Sequence, residues 1–176
     1  LDNPFTVDSV LFKEENGEYS RAAFAHTDGK VNITIPAAVT TGDMITVQIY
    51  YNGAPRIASN PPWGVGFVWD TTSTGKPWIG VACEGDGADI WWPCKDHPSD
   101  EPDSMSTSFT VPNPLVCVSN GRFLGSTDNG DSTTTFNWFI STPINNYNVT
   151  IYAAEYVLIE DTYLSVSGEP VPFYFW

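Results

Sequence analysis

The sequence predicts an all-β protein: a multi-stranded, mostly antiparallel β-sandwich or saddle-like domain. Three observations carry that expectation. No stretch shows helical periodicity over enough residues to form a lasting helix. Short runs rich in β-branched and aromatic residues recur at close, even spacing. Between the first of them lie Asn16-Gly17 and Asp28-Gly29, dipeptides that accept the positive φ of a tight hairpin, and Asn52-Gly53 ends a later one.

Residues 7–13, 19–25 and 31–35 read as three strands of a meander. Val31-Asn32-Ile33-Thr34-Ile35 alternates cleanly between apolar and polar, as a half-buried strand does. In 44–51, Ile45, Val47, Ile49 and Tyr51 share one face, opposite Thr46, Gln48 and Tyr50. Asn60-Pro61-Pro62 is a stiff loop, and 64–70 is a glycine-containing strand. A strand over 78–84 follows, then a glycine-rich bend and a short buried run ending at Trp92. Pro93, Pro98 and Pro102 forbid regular structure in the acidic loop beyond it. Further strands are expected at 106–111, 115–120 and 122–126, and Asp128-Asn129-Gly130-Asp131 marks a hairpin. Phe136, Trp138 and Ile140 share a face, as do Val149, Ile151 and Ala153; 156–159 and 163–166 are two last strand candidates.

Length bounds the organisation: 176 residues, 1–176, fit a single β domain. The net charge of -14, from 21 acids against 7 bases, argues against nucleic acid and anionic membrane surfaces as partners. A cationic group, an amine or a metal ion, suits that field better. No apolar run is long enough to span a membrane. The acidic, Lys-poor, Asn- and Thr-rich composition leans extracytoplasmic, periplasmic or secreted.

Three cysteines, Cys83, Cys94 and Cys117, cannot close a full disulfide framework, so one bridge with a free thiol and three free thiols both stay open. No Cys-x-x-Cys pair suggests a structural zinc, and the two histidines, His26 and His97, cannot build the His-Glu-x-x-His helix of a catalytic one. Cys94 lies three residues from His97, but no orienting partner for a nucleophile is evident. Asp96, Asp100, Glu101 and Asp103 have the charge for calcium; as carboxylates in a proline-broken loop they are read as turn caps. Trp63, Trp69, Trp78, Trp91 and Trp92 offer either a flat sugar-binding platform or buried surface in the core or at a domain interface, and the latter is favoured. On one strand Trp91 and Trp92 would face opposite ways.

The stretch Trp91-Trp92-Pro93-Cys94-Lys95-Asp96-His97-Pro98-Ser99-Asp100-Glu101-Pro102 resembles the aromatic-Pro-Cys-x-Asp-x-Pro signature of the N-terminal β domain of the zinc aminopeptidases, the family of aminopeptidase N and the leukotriene hydrolases. Ser106-Thr107-Ser108-Phe109-Thr110-Val111-Pro112, Val118-Ser119-Asn120-Gly121 and 146–156 are similar to the strands that follow it in that family. The resemblance covers most of the chain from about Trp63 on. It implies a non-catalytic N-terminal domain lacking its first strands, part of a larger metallopeptidase. The parent's catalytic domain, with its His-Glu-x-x-His zinc and Gly-x-Met-Glu-Asn loop, would be a separate partner; this chain would hold no zinc and be inactive alone. In the family the N-terminal domain lends one acid or amide to the free α-amine of the peptide substrate. Counting back from the signature proline, that position is Glu84, flanked more weakly by Gly85 and Asp86; Val81-Ala82-Cys83 stands where the family often has Thr-Gln. A free-standing β-sandwich module binding carbohydrate or protein is the alternative.

Overall fold

The computed structural model describes residues 1–35 and 38–176. The all-β expectation holds: the described residues form fourteen strands and two short 3-10 turns. They gather into two compact units. The first is Leu1–Phe67, Ala82–Glu101 and Asn145–Asn148; the second is Val68–Val81, Pro102–Ile144 and Val149–Trp176.

In the first unit, β1 (Phe5–Glu14) pairs antiparallel with β2 (Ser20–Arg21) on one side and with β5 (Ile45–Gly53) on the other. β3 (Ala23–Thr27) and β4 (Lys30–Thr34) form a separate hairpin, turned at Asp28-Gly29 with φ of 52° and 73°. The expected meander is therefore split. Ala22 is buried and donates its N–H to Val10 O at 3.0 Å, and after it the chain leaves β1 to pair with β4 instead.

The core of this unit explains an irregularity in β1. Phe5 and Val7 are buried, and so are Val10 and Phe12, although the two pairs lie in opposite phase along the strand. The register against β5 shifts between Val7 and Ser9, which leaves Asp8 as the extra residue of a bulge. The bulge resets the two-residue alternation, so all four apolar side chains face one cluster with Leu1 and Ala22. The displaced Asp8 carboxylate is taken up by Asn52 Nδ2, 2.9 Å from both oxygens.

In the second unit, β8 (Met105–Pro112), β10 (Arg122–Asp128) and β11 (Thr133–Ile140) make a three-stranded sheet with β11 central. β6 (Gly66–Thr71), β7 (Pro77–Ala82), β12 (Ile151–Ala154) and β9 (Val116–Ser119) follow in that order in a four-stranded sheet. Phe136 and Trp138 of β11 are buried with Val111, Leu115, Cys117 and Ala153, as their alternation predicts. Trp138 Nε1 donates to Cys117 O at 3.2 Å, which satisfies the polar end of an otherwise apolar ring. The Asp128–Asp131 turn is a hairpin held by its own acids: Asp128 Oδ1 accepts from Gly130 N at 2.9 Å and Asp131 Oδ1 from Thr133 N at 3.1 Å.

The last two strands differ from the expectation. Instead of 156–159 and 163–166, they are β13 (Ile159–Leu164) and β14 (Pro170–Phe175), joined by a turn in which Gly168 N donates to Ser165 O at 2.8 Å. Pro170 and Pro172 argue against a strand in sequence. A two-stranded ribbon has only edge strands, where a missing N–H costs no ladder bond.

Candidate functional site

The bend that follows β7 is held at several points by backbone and side-chain bonds. Cys83 is buried and begins it; its thiol donates to Tyr147 O at 3.0 Å. Gly87 N then donates back to Cys83 O at 2.8 Å, closing a five-residue loop over residues 83–87. Ala88 and Ile90 are fully buried in the 3-10 turn Ala88–Ile90, so the loop stands on two apolar anchors. Asp2 N donates to Asp89 O at 2.8 Å and adds a backbone tie to the chain start.

Glu84, Gly85 and Asp86 form the exposed crest of this loop. The Glu84 carboxylate has no hydrogen-bond or ion-pair partner among the described residues. Asp86 differs: its Oδ2 accepts from Arg56 Nη1 at 2.5 Å, while Arg56 Nε reaches Asp2 Oδ2 at 2.8 Å. Burial raises Asp2, yet its bonds to Arg56 and to the Asn3 N–H, with the charges of Arg56 and the amino terminus, hold it below the usual carboxylate value. The hydrogen bond to Asp2 leads the causes that raise Arg56.

Gly87 is where the loop meets the acidic signature. Its φ is 98°, a left-handed conformation that side chains rarely adopt, and a Cβ there would collide with Asp96 Oδ1. The signature residues therefore pack directly on the bend. Asp89 on the same turn is pushed up, first by burial and then by the charge of Asp96.

Trp91 and Trp92 correct a sequence-based expectation. They sit on a turn, with both N–H groups donating to Ala88 O at 3.1 and 3.2 Å, and not on a strand. Their rings meet edge to face, with centroids 6.4 Å apart. Tyr51 Oη donates to Trp91 O at 2.9 Å and links this turn to β5. Trp63 and Trp69 are exposed, at 80% and 56%, so they are not core residues.

The acidic loop 93–101 is tied down by two side-chain amides and an ion pair. Asn146 Nδ2 donates to Lys95 O at 2.9 Å, Asn145 Nδ2 to Pro98 O at 3.3 Å, and Lys95 Nζ pairs with Asp100 at 3.3 Å. His97 Nδ1 lies 2.8 Å from Ser99 Oγ, turned to a neighbour in its own loop. Cys94 is pushed up to about 12 by burial and by Asp89 and Asp96, which keeps it a thiol at neutral pH and unsuited to nucleophilic work. Cys83, Cys94 and Cys117 are all free thiols. Among the described residues, no group of three or more His, Cys, Asp and Glu side chains is placed to hold a metal ion.

The exposed bend at 84–86 lies where the sequence expects a glycine-rich turn, but the ion pairs of Arg56 with Asp2 and Asp86 are not expected from it. Arg56 and Asp2 lie 30 and 84 positions before Asp86, and a lone Arg and a lone Asp carry no pattern that marks them.

No family model and no curated sequence matches the chain. Solved structures do. It is similar to the M1 zinc metallopeptidase from Deinococcus radiodurans, with a TM-score of 0.72 and 22% identity over 97% of this chain. A mutant of that enzyme bound to a Tyr-Ser-Ala substrate gives a TM-score of 0.74, and so does a two-domain M1 zinc metallopeptidase mutant bound to L-arginine, each at 22% identity. The chain spans 37% of the length of these proteins. The shared feature is the fold, and it is the fold expected from the aromatic-Pro-Cys-x-Asp-x-Pro resemblance.

Proposed function

We propose that this chain is the N-terminal, non-catalytic part of a zinc aminopeptidase, and that its task is to hold the free α-amine of a peptide whose first bond is cut elsewhere in the parent. Two things support the reading: the likeness of fold to M1 zinc metallopeptidases, and the signature stretch Trp92-Pro93-Cys94-Lys95-Asp96 packed against the 83–87 loop. The observation that carries it is Glu84, an exposed carboxylate without a partner among the described residues, raised on a loop closed by Gly87 N to Cys83 O.

An ammonium group presents N–H donors and a positive charge; a carboxylate free on a rigid crest accepts them without first breaking a bond of its own. That contact sets where the first peptide bond lies, and a reaction that needs a near-attack geometry depends on such placement. Zinc would supply Lewis-acid and water-activating chemistry from the parent's catalytic domain, and no residue of this chain is assigned to it. Residues 1–176 are proposed to act as one domain of that parent, working on peptides with a free N-terminus.

The test is made in the full-length parent: Glu84→Ala should lower kcat/KM for peptides with a free N-terminus and weaken competitive inhibition by a free amino acid, but not by its N-acetylated form. Equal weakening of both inhibitors, or unchanged kcat/KM, overturns the amine-anchor reading. One observation favours the alternative, a free-standing binding module for carbohydrate or protein: Trp63 is 80% exposed. Oligosaccharide titration followed by tryptophan fluorescence decides it, since saturable quenching lost in Trp63→Ala would support a sugar platform.

A further inference from the structure

Arg56 is the one cation that bonds to the crest of the 83–87 loop among the described residues, and it sits on a backbone that is itself fixed. Phe67 N donates to Arg56 O at 2.8 Å, and Ala58 N to Phe67 O at 2.8 Å, so the strand-like segment around Ile57 is bonded on both sides of the arginine. Gly66 lies so close that an added Cβ would come within 2.6 Å of Arg56 O. From this base the guanidinium forks: Nε to Asp2 at 2.8 Å, Nη1 to Asp86 at 2.5 Å. A planar fork spanning two carboxylates is a geometry that lysine cannot reproduce.

The loop is anchored below by Cys83, Ala88 and Ile90, but residues 84–86 are exposed. Among the described residues Asp86 is their one side-chain tie, and that tie ends on Arg56. The pairing also neutralises Asp86. What remains unpaired on the crest is the charge of Glu84.

We propose that Arg56 is a positioning residue for the amine site: through Asp86 it holds the crest and leaves Glu84 as the single free carboxylate that an incoming ammonium meets. This rests on the amine-anchor reading of Glu84. Without the fork, the crest loses its side-chain tether and Asp86 becomes a second acceptor two residues away, so the amine binds in two registers, one of them misplaced.

The test uses the full-length parent and three variants, Arg56→Met, Asp86→Asn and Glu84→Ala, with their pairwise combinations and free peptides as substrates. Arg56→Met should lower kcat/KM by about three- to tenfold, a fraction of the roughly hundredfold that a misplaced substrate can cost. In the Glu84→Ala background the same change should have almost no further effect, because it acts through Glu84. Asp86→Asn weakens the same tie while leaving Arg56 with Asp2 and provides no second carboxylate, so it should lower kcat/KM by less than Arg56→Met, and it tests the tether even if Arg56→Met folds poorly. A purely structural role would instead lower melting temperature and activity in every background alike. The proposal falls if Arg56→Met and Asp86→Asn keep wild-type kinetics, or if their losses multiply with that of Glu84→Ala. If Glu84→Ala alone is wild-type, the amine-anchor reading fails first, which separates the two outcomes.

Discussion

Asp96 Oδ1 occupies the space that a Cβ on Gly87 would need, so a carboxylate of the acidic signature lies directly on the bend that raises Glu84. The glycine is required twice over: by its φ of 98° and by that close approach. Gly87→Ala should therefore destabilise the protein by about 2–4 kcal/mol, combining backbone strain with overpacking. Denaturant unfolding measures it. Adding Asp96→Ala should restore the overpacking part and leave the strain; restoration of nothing, or of everything, would show that only one of the two causes operates.

On the proposed reading, Glu84→Ala separates binding from folding. Glu84 is exposed at the crest, so Glu84→Ala should change stability by less than about 0.5 kcal/mol. In the parent it should lower kcat/KM by about ten- to a hundredfold, the equivalent of one charge-assisted hydrogen bond. Glu84→Gln should recover part of this, since an amide oxygen still accepts from an ammonium but carries no charge. Steady-state kinetics on a free dipeptide arylamide compares the three.

Stability should depend on pH with two opposing contributions in the first unit. Asp2 is lowered in the folded state, so it stabilises above its unfolded value of about 3.9 and that contribution is lost as pH falls through its folded value. Asp89 is raised by burial and by Asp96, so its ionisation opposes folding once pH climbs above the unfolded value toward the folded one. Asp2→Asn should cost about 1 kcal/mol at pH 7, discounted for the partly exposed Arg56, and close to nothing at pH 2. Asp89→Asn should stabilise at pH 7 and have no effect at pH 2. Urea melts at the two pH values read both, and the same sign for both variants at pH 7 would contradict the assignment.

The thiols supply an independent probe of packing. Burial pushes Cys83 up to about 11 and Cys117 to about 12, and burial with two nearby acids pushes Cys94 to about 12. At pH 8 the folded chain should react with a thiol reagent at least about a hundredfold more slowly than the urea-unfolded chain, which exposes three thiols of ordinary acidity near 8.5. A rapid native reaction of one thiol would mark that segment as open.

The sequence by itself determined the class of fold, most of the strands and the place of the crest. Strand alternation, as in Phe136, Trp138 and Ile140, is a local property that burial later rewards. Asp28-Gly29 and Asp128–Asp131 close their turns with their own backbone and side chains, so four or five residues suffice to predict them. The resemblance around Pro93 counts back to Glu84, and that residue lies on the exposed bend that the glycines predict. Only the tertiary structure decided the rest. The Asp8 bulge exists because two apolar phases of β1 must share one core, which no window of sequence states. β14 exists despite its prolines because it is an edge strand. The tie from Asp2 through Arg56 to Asp86 joins charges 54 and 30 residues apart. Such pairs leave no periodic mark in a sequence; they form because the backbone ties at Asp2, Phe67 and Gly87 bring three remote segments to one place.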